Sequence, residues 1–524
     1  MAFHSLWFLI FLAVTAFLYY LLPRRFRWGV LLAASYVFYL CSDVRAVFFL
    51  LGSTAVTYGG ARLMERESRI LDNLPTGETL FNPSKNELRR KAAVRRKYLC
   101  AATLLLNLGL LAAVRYTAFA VETLNALIPL RFEIPHLLQP LGISFYVLQS
   151  TGYVVDVYRE EYAADRHFLR YALFVSFFPQ LIQGPIGRHD ALANQLTEGH
   201  DWHYESAARG LQLMLWGYFK KLVIADALAV PVAAVFGRYT DYGGIFMFLA
   251  CAAYGLQLYC DFSGGIDVAR GVARFFGINL AENFRQPYFS TSVSVFWRRW
   301  HTTLGNWMRD YLFYPLNLSR PFAALGKWSR KKWPGHLGRA LPTSLASFIV
   351  FLVVGLWHGG SWKYVIYGLW HASFIAGGTL LDPWLHKRRE ALGIRQSSPV
   401  LRGLKIFLTF CAVTFGYYFF RADSLGTAFR MLGRSFAHPW THQLFDGSFA
   451  ALGLGGADAL AVFLGLLLVL TVGVLRERRT DVHLWLLEKP WPVQWAVMLL
   501  LLVLTLYFGV YSDYTAPEFI YMNF

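Results

Sequence analysis

Apolar runs about as long as a bilayer is thick recur along this chain, and they limit its possible folds more than any other feature. A helix needs about 20 mostly apolar residues to cross the hydrocarbon core of a membrane. Runs close to that length lie at residues 3–22, 28–42, 45–63, 98–116, 139–158, 208–236, 243–262, 341–357, 361–381, 403–420, 458–475 and 492–512. We therefore expect an all-α polytopic membrane protein.

The composition agrees with this expectation and excludes a soluble enzyme. Hydrophobic residues make up 56% of the chain and charged residues only 16%, whereas charged residues make up roughly 25% of soluble domains. The net charge of +18 lies mostly in loops between the apolar runs. This pattern is typical of cytoplasmic loops and gives no reason to expect nucleic-acid binding.

The basic loops also predict an orientation. Arginine and lysine cluster at residues 64–97, 319–340, 384–405 and 476–489. By the positive-inside rule these loops face the cytoplasm, which places both termini on the opposite side. No small-residue cleavage site follows the first apolar run, so we expect this helix to be retained.

One apolar segment, residues 168–187, is broken by Pro179 and by Gly184-Pro185. We predict a re-entrant or discontinuous piece, which a membrane tolerates only where protein or a water-filled cavity surrounds it. Gln180 and Gln183 would then line that cavity. The alternative is a kinked packing helix.

A histidine stands where two apolar runs meet, in the sequence Gly355-Leu356-Trp357-His358-Gly359. An imidazole at membrane depth is costly to desolvate and is usually kept for a task. A neutral imidazole can take a proton from a hydroxyl and return it to a leaving group. The alternative is a structural histidine that donates to a carbonyl. Trp362 follows closely and is a second aromatic candidate beside Trp357.

A second histidine, His301, follows Trp297-Arg298-Arg299-Trp300 and precedes Asn306. Two separated intramembrane histidines suggest proton transfer inside the bilayer. The alternative is an interfacial anchor, with tryptophan at the headgroup level and arginine reaching outward. That alternative fits Arg298 and Arg299 well.

Buried acids form a third candidate group. Asp261, Ser263 and Asp267 lie in apolar surroundings, and buried carboxylates need partners. They form either an ion-pair lattice that fixes the helices or a proton relay. Lys220 and Lys221 lie in another apolar run and mark either a membrane boundary or an anionic-ligand contact.

Several catalytic and metal-binding motifs are missing. The chain has no GxSxG elbow, P-loop, HExxH, CxxC or dinucleotide-binding glycine pattern. Its five cysteines show no metal-ligand spacing, so we expect no metal site. No serine has the setting of an activated nucleophile, so a transferase of this sequence would use a histidine to activate the acceptor hydroxyl.

In eight segments the sequence resembles the membrane-bound O-acyltransferases, and most closely their bacterial polysaccharide branch, typified by the membrane subunit of alginate O-acetylation. The segments are Pro140–Tyr146, Asp156–Arg159, Phe178–Ile186, Phe219–Asp226, Asp261–Gly264, Phe296–His301, Gly355–Gly359 and Phe419–Ala422. The resemblance covers nearly the whole chain. One departure is Gly265, where the family's motif leads us to expect a larger aromatic residue.

The resemblance implies a ring of tilted helices around a thin, tunnelled core. It implies a single membrane domain over residues 1–524, with its motifs within about 139–382 and peripheral helices at 1–138 and 400–524. His358 would be the catalytic histidine and His301 the second catalytic position. The candidates for lining the tunnel are Trp357, Trp362, Gln180, Gln183, Asp261, Ser263, Arg298, Arg299 and Asn306.

The resemblance also implies an activity and a location. The enzyme would sit among the lipids of a bacterial inner membrane and hold no permanently bound cofactor. It would move an acetyl group from cytoplasmic acetyl-CoA to a polysaccharide hydroxyl, directly or through an extracytoplasmic partner of the esterase type. The alternatives are D-alanyl transfer to teichoic acid from a carrier-protein thioester, and a proton-coupled transporter without chemistry. The sequence does not identify the polysaccharide.

Overall fold

The computed structural model describes residues 3–72, 83–128, 131–135, 137–181, 183–393 and 398–511. Ile182, Arg395, part of the basic loop at 64–97 and the end of the chain from residue 512 lie outside these ranges. Within them the chain is helical and contains no strand. This confirms the predicted all-α class.

The first eleven helices cover the chain up to residue 275. They are α1 Leu6–Leu21, α2 Arg24–Leu40, α3 Ala46–Asp72, α4 Pro83–Leu127, α5 Ile143–Tyr158, α6 Phe168–Ser176, α7 Phe178–Leu181, α8 His189–Glu198, α9 Tyr204–Tyr218, α10 Asp226–Gly237 and α11 Gly244–Phe275. A π-helical turn, Phe219–Ala225, joins α9 to α10.

The remaining helices are α12 Val293–Arg299, α13 Thr302–Met308, α14 Tyr314–Leu318, α15 Arg320–Lys332, α16 His336–His358, α17 Trp362–Ala391, α18 Pro399–Arg421, α19 Leu425–Ala437, α20 Gly456–Glu477, α21 Val482–Leu487 and α22 Trp491–Phe508. A second π-helical turn, Arg309–Phe313, joins α13 to α14.

In the described ranges, eight helices are long and apolar enough to cross a membrane, and α1 is a shorter apolar helix. The eight are α3, α4, α11, α16, α17, α18, α20 and α22. The protein is therefore a multi-pass membrane protein. The ring of tilted helices and its tunnel stay predictions.

Two expectations about local structure were wrong. The run at 208–236 is not one helix, because the π-helical turn Phe219–Ala225 interrupts it. The basic loops are partly helical: α3 and α4 extend into residues 64–97, and α15 fills much of 319–340. Ion pairs one helical turn apart, such as Arg69 with Glu65 at 2.6 Å, support such charged extensions.

The chain divides into two compact units, one formed by Met1–Gly210 with Ala269–Ala281 and the other by Leu211–Val268 with Glu282–Phe524. The single domain over residues 1–524 stays a prediction.

In the first unit, α3 and α4 share a buried polar ladder. The Ser53 hydroxyl donates to Asn107 Oδ1 at 2.6 Å, and Asn107 Nδ2 donates to Thr57 Oγ1 at 3.2 Å. Such bonds hold helices together where lipid offers no polar partner. The segment at 168–187 is discontinuous as predicted, since α6 ends at Ser176 and the short α7 follows.

In the second unit, the π-helical turn packs against α20 and α22. A Cβ on Gly465 would meet the Ile224 side chain at 3.0 Å, so glycine allows α20 to approach closely. The N–H of Val510, just beyond α22, donates to the carbonyl of Leu222 at 3.1 Å. Because a π-helical turn leaves backbone groups without their usual helical partners, this bond helps to stabilise it.

Candidate active site

His358 is the last residue of α16, at the tip of a helical hairpin that α17 completes. Gly359 donates its N–H to the carbonyl of Leu356 at 3.0 Å. A Cβ on Gly359 would meet the Tyr364 ring at 2.6 Å, so only glycine lets that ring approach the turn. The tight turn thereby fixes His358 at the end of a packed helix.

His358 is 1% exposed, and aromatic rings surround its imidazole. The ring centroids of Phe420, Trp357 and Tyr367 lie 5.0, 5.2 and 5.9 Å from its own. All three contacts are edge-to-face, the arrangement that aromatic quadrupoles favour. The site is therefore built from α16, α17 and α18.

His301 lies between α12 and α13, outside the eight spanning helices, and is also buried. Its backbone has φ 46°, a left-handed conformation that residues with a Cβ rarely adopt. Its Nδ1 lies 3.1 Å from Oδ1 of Asn283. Desolvation lowers the pKa of His301 to about 3, so the imidazole is neutral at physiological pH.

Trp357 contacts both imidazoles. Its ring centroid lies 5.5 Å from that of His301 and 5.2 Å from that of His358. The structure thus brings together both predicted catalytic histidines and one predicted tunnel residue in the second unit. Two imidazoles in contact with one tryptophan form an arrangement that can accept, hold and return protons.

Asp261 and Ser263 belong to a separate buried network of lysines and aspartates. The pairs are Lys221 with Asp226 and Asp261, each at 2.7 Å, and Lys220 with Ser263 and Asp267, each at 2.8 Å. The lysines sit on the π-helical turn, and their partners on α10 and α11. This geometry supports the ion-pair lattice, since each lysine bridges two groups that would otherwise be costly to bury.

The other candidates near His301 and His358 are more exposed. Arg298 and Asn306 are exposed, and Trp362 is 50% exposed at the start of α17. Arg299 is half-buried and pairs with Glu477 at 2.9 Å. This ion pair gives Arg299 a structural contact, and the interfacial-anchor alternative for the two arginines stays a prediction.

Gln180 and Gln183 are buried in the first unit. Gln180 Nε2 donates to the carbonyl of Phe174 at 2.9 Å, and Gln149 Nε2 donates to the same carbonyl at 2.7 Å. Neither polar atom of the Gln183 amide has a hydrogen-bond partner among the described residues. Gln180 Nε2 is therefore engaged, whereas Gln180 Oε1 is, like the Gln183 amide, without a hydrogen-bond partner among the described residues.

An apolar cavity of about 230 Å³ lies between α11 and α20 in the second unit. Leu256, Leu466 and Gly473 line it, with Tyr288 on one wall. Neither catalytic candidate is among its lining residues. The cavity is thus separate from the imidazoles.

Known proteins similar to this chain identify its family. A model of the membrane-bound O-acyltransferase family matches residues 159–329. The chain is 35% identical over 434 residues to the probable alginate O-acetylase AlgI of Pseudomonas aeruginosa, a match covering 82% of this chain and 73% of that protein. This chain belongs to the membrane-bound O-acyltransferase family. The resemblance inferred from its motifs is confirmed.

Two further relatives show how broad the family is. The peptidoglycan O-acetyltransferase of Helicobacter pylori is 32% identical over 355 residues, which is 63% of each chain. The teichoic acid D-alanyltransferase of Bacillus subtilis is 28% identical over 292 residues, covering 55% of this chain and 70% of that protein.

Family membership makes this chain an O-acyltransferase, and the transporter alternative is no longer needed. The segment matched by the family model contains His301 and Asp261 but ends before His358. His358 is therefore a catalytic candidate because it is buried and contacts Trp357.

The sequence did not reveal Asn283, Tyr367 or Phe420 as parts of the site. Tyr367 lies four residues before His371 on α17, and such spacing puts both on one helix face, a signal that could have been used. Asn283 reaches His301 from 18 residues away in the chain, and no local pattern indicates that contact.

Proposed function

We propose that this O-acyltransferase moves an acetyl group from cytoplasmic acetyl-CoA to a hydroxyl of a cell-surface polysaccharide. The acceptor is reached directly or through a serine of an extracytoplasmic, esterase-like partner. The observation that carries the proposal is the pair of buried histidines that share Trp357 in a chain of this family. The relatives named as alginate O-acetylases support acetyl as the group transferred.

His358 is the proposed general base. Its imidazole takes the proton from the acceptor hydroxyl while the hydroxyl oxygen attacks the thioester carbonyl. The carbon–sulfur bond breaks as the carbon–oxygen bond forms, and the imidazolium returns the proton to the departing sulfur of coenzyme A. His301 is the proposed second catalytic residue, and Trp357 lines the acyl path beside both. No step requires a metal or a serine of this chain.

The remaining candidates have weaker support from the geometry. Asp261 and Ser263 stabilise the helices through the lysine network rather than meeting substrate. Gln183 is the better polar candidate in the first unit. For Arg298, Asn306 and Trp362, exposure favours a place at the rim of the path rather than beside the reacting atoms. Arg299 is held away from them by its ion pair with Glu477.

Transfer by purified protein in lipid vesicles tests the proposal. Labelled acetyl-CoA is the donor, and soluble alginate or peptidoglycan fragments are the acceptors. We expect His358→Ala to lower the rate about 10²–10⁴-fold, the usual loss when a base is removed. The matched control is His336→Ala, which changes an exposed histidine at the other end of the same helix. Equal loss in both variants, or a His358→Ala rate close to that of the wild type, contradicts the role.

D-alanyl transfer is the competing donor chemistry, since one relative is named a teichoic acid D-alanyltransferase. That relative aligns with 55% of this chain, against 82% for the alginate O-acetylase. The same vesicles should therefore label the acceptor from acetyl-CoA and not from a D-alanyl carrier protein. The reverse result would replace the acetyl proposal.

We propose a bacterial inner membrane, with the basic segments facing the cytoplasm and both termini outside. Cysteine labelling tests this orientation in a Cys41→Ser background, which removes the exposed native thiol. An impermeant maleimide added to spheroplasts should label Ser448→Cys but not Lys331→Cys. After lysis, the maleimide should label Lys331→Cys as well. Labelling of Lys331→Cys before lysis contradicts the orientation.

A further inference from the structure

A short fold-back brings Asn283 against the imidazole of His301. The N–H of Arg285 donates to the carbonyl of Arg299 at 2.9 Å, and the N–H of Thr302 donates to the carbonyl of Asn283 at 3.0 Å. These bonds run the segment before α12 antiparallel to the segment after it. Asn283 is 1% exposed, so its side-chain amide is shielded from water.

The amide of Asn283 points its oxygen, and not its nitrogen, at the histidine. Its Oδ1 accepts from the backbone N–H of Thr303 at 3.0 Å and from the Thr303 hydroxyl at 2.9 Å. A backbone N–H only donates, so the atom that faces it must be the carbonyl oxygen of the amide. This observation removes the usual ambiguity between the two ends of an asparagine side chain.

The position of that oxygen decides which nitrogen of His301 carries the proton. The same Oδ1 lies 3.1 Å from Nδ1 of His301. An amide oxygen has no hydrogen to give, so Nδ1 must be the donor. In a neutral imidazole the other nitrogen, Nε2, then holds the lone pair.

The amide of Asn283 is also restrained because it caps α13, the helix that follows His301. His301 is the residue before α13 and adopts φ 46°, and its own side chain makes no capping bond to the helix. Asn283 supplies the cap from a distant segment by accepting from Thr303 in the first turn of α13. One oxygen thus accepts hydrogen bonds from both the first turn of α13 and the His301 imidazole.

We propose that Asn283 is a positioning residue that fixes the Nδ1–H tautomer of His301 and so leaves Nε2 as the atom that accepts a proton or hydrogen bond during acyl transfer. The catalytic part of this inference depends on the function proposed above. The tautomer does not depend on it, and it can be measured without turnover.

Nitrogen-15 spectra of the full chain in lipid nanodiscs read the tautomer directly. Labelled imidazoles report all 14 histidines, and the signal lost in His301→Gln identifies this one. We expect the wild-type protein at neutral pH to carry the proton on Nδ1. We expect Asn283→Leu to show a mixture of both tautomers, because Nδ1 then loses the Asn283 oxygen to which it donates. A proton on Nε2 in the wild type, or an unchanged tautomer in Asn283→Leu, overturns the proposal.

Asn283→Asp is the conservative variant. Asn283 Nδ2 has no hydrogen-bond partner among the described residues, so replacing it with oxygen loses no bond there. The carboxylate still accepts from Nδ1, so the tautomer is retained. A negative neighbour favours the charged imidazolium, so the pKa of His301 should rise, and its signals should titrate at a higher pH than in the wild type. Unchanged titration overturns the assigned contact.

Acyl-transfer kinetics separate positioning from simple support. We expect Asn283→Leu to lower kcat about 10–100-fold, as loss of an orienting partner commonly does, with Asn283→Asp recovering much of it. Thr302→Val is the matched control, because it removes a 2.7 Å bond to the carbonyl of Glu282 in the same fold-back without touching Oδ1. Equal loss in the control would mean that Asn283 only supports the fold. Absence of acetyl transfer by the wild type, both alone and with an esterase-like partner added, would refute the proposed function. The tautomer would still be decided by the nitrogen-15 spectra.

Discussion

A methyl group at Gly368 should separate the two helices that hold the catalytic hairpin. Gly368 on α17 faces Gly355 on α16. A Cβ built at Gly368 would lie 3.1 Å from the Gly355 α-carbon and closer still to the carbonyl oxygen of Phe351. Real Cβ atoms essentially never approach within 3.0 Å, and here the obstacle is backbone. Gly368→Ala therefore forces the helices apart by at least roughly half an ångström.

The consequence for the site follows from the neighbouring residue. Tyr367, next to Gly368, has its ring 5.9 Å from the imidazole of His358, so moving α17 displaces one wall of the site. Overpacking of this kind costs about 1–3 kcal/mol of stability. A displacement approaching 1 Å can cost about 10²-fold in rate. We expect Gly368→Ala to lose stability and transfer rate by these amounts. The apparent melting temperature in detergent measures the first, and acetyl transfer in vesicles measures the second.

Gly377→Ala is the control on the same helix. A Cβ at Gly377 would meet nothing within 4 Å. Replacing this glycine should leave transfer unchanged and stabilise the helix by up to about 1 kcal/mol, because glycine is a poor helix former. Wild-type activity and stability in Gly368→Ala, or an equal loss in Gly377→Ala, would refute the reasoning about the close helix crossing.

Three further substitutions test other parts of the structure by unfolding and transfer measurements. Lys221→Met removes the cation shared by two buried carboxylates, and should lower the free energy of unfolding by about 3–5 kcal/mol. Lys327→Met, which changes an exposed lysine, should leave the free energy of unfolding unchanged. Equal losses in the two variants would show that the buried network does not stabilise the fold. His371→Leu should lower the free energy of unfolding by less than about 1.5 kcal/mol, since neither ring nitrogen has a hydrogen-bond partner among the described residues. A lower rate of acetyl transfer with unchanged stability would show that this imidazole takes part in catalysis. Ser424→Ala removes the cap that accepts the N–H of Thr427 at 3.1 Å and should cost about 1 kcal/mol, which Ser424→Asp should restore.

Sequence reasoning worked best where one physical quantity decides the outcome. Length and hydropathy located all eight helices that, among the described residues, are long and apolar enough to cross a membrane, because lipid requires a continuous apolar helix. The hairpin at His358 was predicted for the same reason, since glycines separate two such runs.

The same reasoning failed where the backbone changes its register inside an apolar run. The segment around Lys220 and Lys221 contains enough apolar residues to suggest one spanning helix, yet the lysines lie on a π-helical turn and reach acids on α10 and α11. Hydropathy counts residues without regard to the direction of each side chain. Asn283 shows a second limit, because its contact with His301 depends on a fold-back that no local periodicity encodes.

The aromatic enclosure of the site has a mechanistic consequence under the proposed function. Rings of Trp357 and Phe420 beside His358 solvate an imidazolium poorly, so a fully formed charge there would be costly. Proton transfer to His358 should therefore accompany attack on the thioester rather than precede it, and the proton should pass promptly to the departing sulfur. His301 is already held neutral by burial. An imidazole whose tautomer is fixed by Asn283 can then accept a hydrogen bond at one defined atom without adding a second positive charge.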